Sequence, residues 1–146
     1  MATFSRNVTV NWEGSIMEGK GTAKAGSGAF SLPISFPRRI GDAEGVTSPE
    51  ELIAAAHASC FAMALNATVG RKGGSIAKTD VTATVSADKG DAGIKIVSSK
   101  LSVTAHGLTG IPKEQFAEVA KEAEGKCPVS NALRGSLTIE LDAKAV

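Results

Sequence analysis

The chain has 146 residues, 42% hydrophobic and 21% charged, enough to bury a core without disulfide or metal staples and too apolar for disorder. Its formal net charge of +1 comes from interspersed lysines and acids, which leaves no basic footprint for nucleic acid or anionic lipid. Two cysteines are too few for a secreted disulfide framework, and Met1 to Arg6 lacks the cationic-then-apolar pattern of a signal peptide, so the expected compartment is the cytoplasm.

The first third reads as strands. Phe4, Arg6, Val8, Val10 and Trp12 share one face, and Gly14-Ser15 turns the chain toward a second strand around Ile16 to Thr22. Phe30, Leu32, Ile34 and Phe36 alternate, but Pro33 and Pro37 restrict this run to an edge or irregular strand. A loop is expected from Arg38 to Thr47.

A long helix follows. Ser48-Pro49-Glu50-Glu51 supplies a cap, a proline for the first helical position and acids for the first turn, and Ser48 with Glu51 has capping-box spacing. Leu52 to Val69 contains no Asp, Glu, Lys or Arg, and Gly70 with Gly73-Gly74 closes the run. The run is nearly long enough to span a bilayer, yet it is mostly alanine, carries His57, Ser59, Asn66 and Thr68, and stands alone. It reads as a buried core helix, apolar on every side.

Val81, Ala83, Val85 and Ala87 then alternate, Lys89 to Gly93 turns the chain, and Ile94 to Ala105 forms a long partner strand. Pro112 opens an amphipathic helix with Phe116, Val119, Ala120 and Ala123 on one stripe, ended by Gly125. Cys127-Pro128 has the form of another helix start, and Leu137, Ile139 and Leu141 make a last strand. This order predicts one α+β domain over residues 1–146, with antiparallel sheet around a buried central helix. Such a helix needs cover on every side, more than one small chain supplies, so an obligate homodimer is expected.

Chemistry centres on two cysteines. Cys60 sits mid-helix, where a small apolar core role competes with a reactive one. Cys127 sits at a helix start, where free backbone N–H groups favour a thiolate. His57 lies three residues before Cys60 on the same helix face, which admits either a Cys–His nucleophile or a core histidine. A zinc site from His57, Cys60, His106 and Cys127 lacks the usual ligand spacing.

Resemblance carries the reading further. Ser48 to Leu65, with His57-Ala58-Ser59-Cys60-Phe61 at its centre, resembles the central-helix signature of the OsmC/Ohr family. Cys127-Pro128-Val129-Ser130-Asn131-Ala132-Leu133 resembles the family's second cysteine motif, and Trp12-Glu13-Gly14 with Gly19-Lys20-Gly21-Thr22 its first hairpin. The His-Ala-Ser-Cys-Phe form is similar to the osmotically inducible branch of OsmC proteins.

The resemblance implies an intertwined homodimer and a peroxidase that prefers organic hydroperoxides over hydrogen peroxide. It makes Cys60 the attacking cysteine and Cys127 its disulfide partner. Glu50 matches the family glutamate and Arg39 the family arginine, with Arg38 the other candidate for that position. No metal, flavin or haem is implied, and an external dithiol would reset the disulfide. Two other classes stay open: a Cys60–His57 hydrolase or acyltransferase, and a redox-sensing binding protein without turnover. Glu50 and Cys60 stand ten residues apart on one expected helix, about 15 Å along its axis, so a shared site requires a bend in the helix, a bridging arginine or a Glu50 from the partner subunit, and the expectation is a composite site of the last kind.

Overall fold

The computed structural model describes residues 1–146 and begins with an antiparallel meander of β1 (Val8–Glu13), β2 (Lys20–Ala25) and β3 (Ser31–Ile34), in the order β1-β2-β3. Trp12 pairs with Gly21, Val10 with Ala23 and Val8 with Ala25. The second strand starts later than its alternation suggests, because Ser15 to Glu18 forms a turn. There Ser15 Oγ accepts from the Glu18 N–H at 3.1 Å and the Gly19 N–H closes on the Ser15 carbonyl at 2.7 Å. A Cβ on Gly19 would collide with that carbonyl, which reserves the position for glycine. Val8, Val10 and Trp12 alternate as expected, yet all three are exposed.

β3 lies at a sheet edge, where its Pro33 is tolerated. The expected strand character of Phe36 and the loop from Arg38 give way to a short helix, α1 (Phe36–Ile40). Pro37 lies in its first turn, where the fixed φ of proline suits a helix and its missing N–H costs nothing. The Thr47 N–H then bonds the Pro33 carbonyl, bringing the chain back alongside β3 before the next helix.

That helix, α2, runs Pro49–Arg71. Ser48 caps it, its Oγ accepting from the Glu51 N–H at 3.0 Å. The reciprocal half of the capping box is absent, because the Glu51 carboxylate accepts instead from the Thr47 hydroxyl at 2.7 Å. The expectation of burial all round needs correction. His57, Phe61, Leu65, Thr68 and Val69 are buried on one face, while Ala55, Ala56, Ser59, Met63, Asn66 and Ala67 are exposed on another. By length and composition alone α2 could cross a membrane, but its covered face belongs to a protein core.

The chain forms two compact units, Met1–Leu52 and Ile53–Val146. In the second, β4 (Lys78–Gly90) and β5 (Gly93–His106) make a long antiparallel hairpin, with an irregularity in register between Ser86 and Ala87. Pro112 precedes a single 3-10 turn (Lys113–Gln115), which leads into α3 (Phe116–Gly125). A short α4 (Pro128–Leu133) and β6 (Thr138–Ala145) complete the chain.

β6 joins β5 in parallel, so this sheet is mixed rather than wholly antiparallel. The segment through α3 and α4 supplies the long crossover that a parallel pair requires. Phe61, Leu65 and Val69 of α2 pack with Leu101, Val103 and Ala105 of β5 and with Phe116, Val119, Ala120 and Ala123 of α3. Cys127 belongs to this core and Cys60 packs against it.

Candidate active site

The second unit holds both thiols, and both are free. Cys60 precedes the buried Phe61 on α2 and is half-buried, with Cys127 wholly buried. Cys127 is the N-cap of α4: Pro128 starts the helix, and the Cys127 sulfur accepts from the Ser130 N–H at 3.5 Å. The same helix start lies near the other sulfur, where the Val129 amide favours the Cys60 thiolate.

Burial pushes the Cys60 thiol above its ordinary pKa. The Val129 N–H works in the other direction, and hydrogen-bond contact with the Cys127 thiol adds to the rise. The pair is therefore close and reduced, with Cys60 needing further positive potential to ionise at neutral pH. The helix-start argument singled out Cys127, but the first turn of α4 also acts on the Cys60 thiol. The role of Val129 is carried by its backbone, so no side chain announces it.

His57 is wholly buried three residues before Cys60. Its Nδ1 lies 2.6 Å from Ser99 Oγ on β5 and its Nε2 2.7 Å from Ser130 Oγ on α4. Burial holds the imidazole below its usual pKa, with Glu124 pulling up and Arg134 pushing down. The neutral ring donates from one nitrogen and accepts at the other, so one serine hydroxyl accepts and the other donates. Both nitrogens are engaged. Ser99 and Ser130 were not singled out from sequence, although Ser99 shares the inward face of Leu101, Val103 and Ala105. A serine on such an apolar stripe is a signal for a buried polar partner.

The first unit holds the other two predicted residues as a second pair. Arg39 Nε lies 3.1 Å from each Glu50 carboxylate oxygen, and Arg39 Nη2 lies 2.6 Å from Oε1. The hydrogen bonds to Arg39 hold the Glu50 carboxyl below its ordinary range, against an opposing effect of burial. They raise Arg39 in turn. α1 sets this choice between neighbouring arginines: Arg38 faces outward to Glu44 at 2.7 Å and to the Asp42 carbonyl at 3.3 Å.

His106 hydrogen-bonds Asp80 at 2.9 Å, and no three His, Cys, Asp or Glu side chains are grouped to hold a metal. A cleft of about 750 Å³ lined by Lys72, Ile111, Pro112, Gln115, Val119 and Glu122 contains neither thiol.

Comparison with known proteins gives one answer. The profile of the OsmC-like protein family matches residues 41–142. The chain is 38% identical over 144 residues to the peroxiredoxin OsmC of Escherichia coli, covering 98% of this chain and 99% of that one. It is 33% identical over 117 residues to the organic hydroperoxide resistance protein OhrA of Bacillus subtilis, covering 77% of this chain and 79% of the relative. Among solved structures, an organic hydroperoxide resistance protein OsmC from Legionella pneumophila superposes with a TM-score of 0.77 at 26% identity, over 99% of each chain. OhrB of Bacillus subtilis gives 0.75 at 27% identity, over 98% of this chain and all (100%) of that one.

Proposed function

The chain belongs to the OsmC-like protein family, and we propose that, as a thiol-dependent hydroperoxide peroxidase, it attacks its substrate with Cys60 and closes a disulfide with Cys127. The observation that carries this reading is the pair of free thiols in one core, with Cys60 half-buried against the cluster that holds the wholly enclosed Cys127. A peroxide can meet the first sulfur and not the second.

In the first step the Cys60 thiolate attacks the terminal peroxide oxygen. The O–O bond breaks, a sulfur–oxygen bond forms, and the departing alkoxide takes a proton to become an alcohol. Cys60 is left as a sulfenic acid. The Cys127 thiol then displaces its oxygen as water, and an external dithiol returns both sulfurs to thiols by two exchanges. The two thiols carry the oxidation and the external dithiol supplies the electrons that reset them. A couple that must be reset in this way fits a reducing compartment, and we place the protein in the cytoplasm.

Burial raises the Cys60 pKa, so the Val129 N–H needs help from a fixed cation. Arg39 is our assignment, with Glu50 holding its fork. The same donors would stabilise the leaving alkoxide. We assign this pair to the partner subunit of a homodimer. Support comes from the exposed, uncharged stripe of α2 and the exposed Val8, Val10 and Trp12, apolar surfaces that association would cover. The apolar neighbours of Cys60, and relatives named for organic hydroperoxide resistance, favour organic hydroperoxides as the substrate class. A Cys60–His57 hydrolase lacks its base, because both His57 nitrogens are engaged by serines.

Anaerobic thiol counting with one equivalent of cumene hydroperoxide tests the proposal. Two thiols per chain should disappear as one equivalent of alcohol is released, with repeated turnover when a dithiol is added. Retention of both thiols would end the peroxidase reading, and oxidation without turnover on any dithiol would make the protein a sensor.

A further inference from the structure

The buried His57–Ser130 hydrogen bond ties the helix that carries Cys60 to the short helix capped by Cys127. His57 stands one turn before Cys60 on α2. Its Nε2 meets Ser130 Oγ at 2.7 Å, and the backbone N–H of that same Ser130 meets the Cys127 sulfur. Ser130 therefore faces two ways, with its hydroxyl toward α2 and its amide toward the thiol it helps to hold. On the far side Ser99 fixes the ring by its other nitrogen at 2.6 Å, anchoring it to the central strand β5. All three side chains are wholly buried, so the tie is shielded from competing water.

α4 has only six residues, too few to hold its place by its own helical bonds. Asn131 Nδ2 to the Gly125 carbonyl and Arg134 to Glu124 lead back to α3, so the ties of α4 to the helix bearing Cys60 are the His57–Ser130 bond and the Val129 amide beside the Cys60 sulfur. We infer that His57 is a positioning residue that acts through Ser130 to hold the Cys127 sulfur in line for disulfide closure with Cys60.

This rests on the peroxidase reading above and adds a division of labour to it. Attack on peroxide needs the Cys60 thiolate, its cation and, to a smaller degree, the Val129 amide beside it. Closure needs a second sulfur at a defined place on another element. A loosened α4 slows the second step more than the first, which keeps its cation, so the sulfenic acid meets a second peroxide and is carried on to sulfinic acid. His57 gains a role in chemistry without touching substrate or giving up a proton.

The test compares Ser130→Ala with Ser99→Ala. Each leaves one His57 nitrogen without its serine, so each lowers thermal stability, but only Ser130→Ala cuts the tie to α4. The measurements are the rate of Cys60 oxidation in a single turnover and the sulfinate fraction per turnover by intact mass, over a series of cumene hydroperoxide concentrations. Ser130→Ala should keep the first rate within about threefold and raise the sulfinate fraction about tenfold, the scale of effect a small misplacement of reacting groups has on rate. Ser99→Ala should stay within about threefold of the parent in both. His57→Asn, read the same way, should follow Ser130→Ala.

Equal sulfinate fractions in the two serine variants would reduce His57 to an ordinary core contact. An unchanged fraction in Ser130→Ala would also overturn the inference. Failure of the parent protein to oxidise at Cys60 would instead remove the peroxidase reading, and this inference with it.

Discussion

Arg39 grips Glu50 along one edge of its guanidinium, with Nε 3.1 Å from both carboxylate oxygens and Nη2 2.6 Å from Oε1. Nη1 takes no part in that pair. The carboxylate therefore fixes the plane of the cation while leaving donors for a second anion, a geometry an ammonium cannot reproduce. Arg39→Lys should keep the charge and still slow Cys60 oxidation about 100-fold, near the effect of losing one preorganised donor to a developing anion. Arg38→Ala removes an exposed pair with Glu44 and should change the rate less than about threefold. Single-turnover oxidation by cumene hydroperoxide reads both. Equal losses would mean that the arginines share the task.

The two thiols should separate in a second pair of variants. Cys60→Ser should consume no peroxide. Cys127→Ser should release one alcohol, then stall as the sulfenic acid or pass to sulfinic acid, because the condensing thiol is gone. Intact mass and alcohol release in one turnover distinguish these outcomes. A live Cys60→Ser with a dead Cys127→Ser would reverse the assignment, as the cap position of Cys127 taken alone would suggest.

Stability should depend on pH through His57. Burial lowers its folded pKa below the ordinary 6.5, so the unfolded chain binds the proton more readily. Its contribution is complete above that value and is lost as pH falls from there toward the folded pKa, with a slope of up to about 1.4 kcal/mol per pH unit. Glu50 acts in a lower window. Its folded pKa lies below the ordinary 4.5, so its contribution is intact above 4.5 and is lost as pH falls through the folded value. Urea melts at fixed protein concentration across this range should show the upper slope in the parent and not in His57→Asn. A slope that survives in His57→Asn would assign it to another group.

What the chain reveals by eye tracks how local each cause is. α2 is legible because its cap, its uncharged run and its closing glycines are contiguous. The β4–β5 hairpin is legible because its partners are neighbours in sequence. The parallel pairing of β6 is not, since period-two alternation carries no strand direction. α1 was hidden by the alternation of Phe30 to Phe36, which matches a strand until Pro37 starts a helix. At the site, both cysteines stand out as residues, whereas the partners of His57 lie 42 and 73 residues away. The link between Val129 and Cys60 is a backbone amide, invisible to any reading of side chains.

The α2 helix sets the last test. Glu50 and Cys60 lie ten residues apart on it, about 15 Å along the axis and on different faces. A glutamate side chain does not close that gap. Two such helices packed about a twofold axis bring the start of one toward the middle of the other, and the exposed stripe of Ala55, Ala56, Ser59 and Met63 is small and uncharged enough for close packing. Each site would then take Cys60 and Cys127 from one subunit and Arg39 with Glu50 from its partner. Glu50→Gln and Cys60→Ser homodimers should each be inactive or nearly so. Mixed under subunit exchange, they should recover turnover, because each heterodimer contains one site with native thiols and a native carboxylate. Random mixing of equal amounts makes half the dimers heterodimers with one intact site each, so recovery should approach about a quarter of the parent rate per total protein. No recovery in verified heterodimers would put the Glu50 of a chain at that chain's own thiols and remove the composite site.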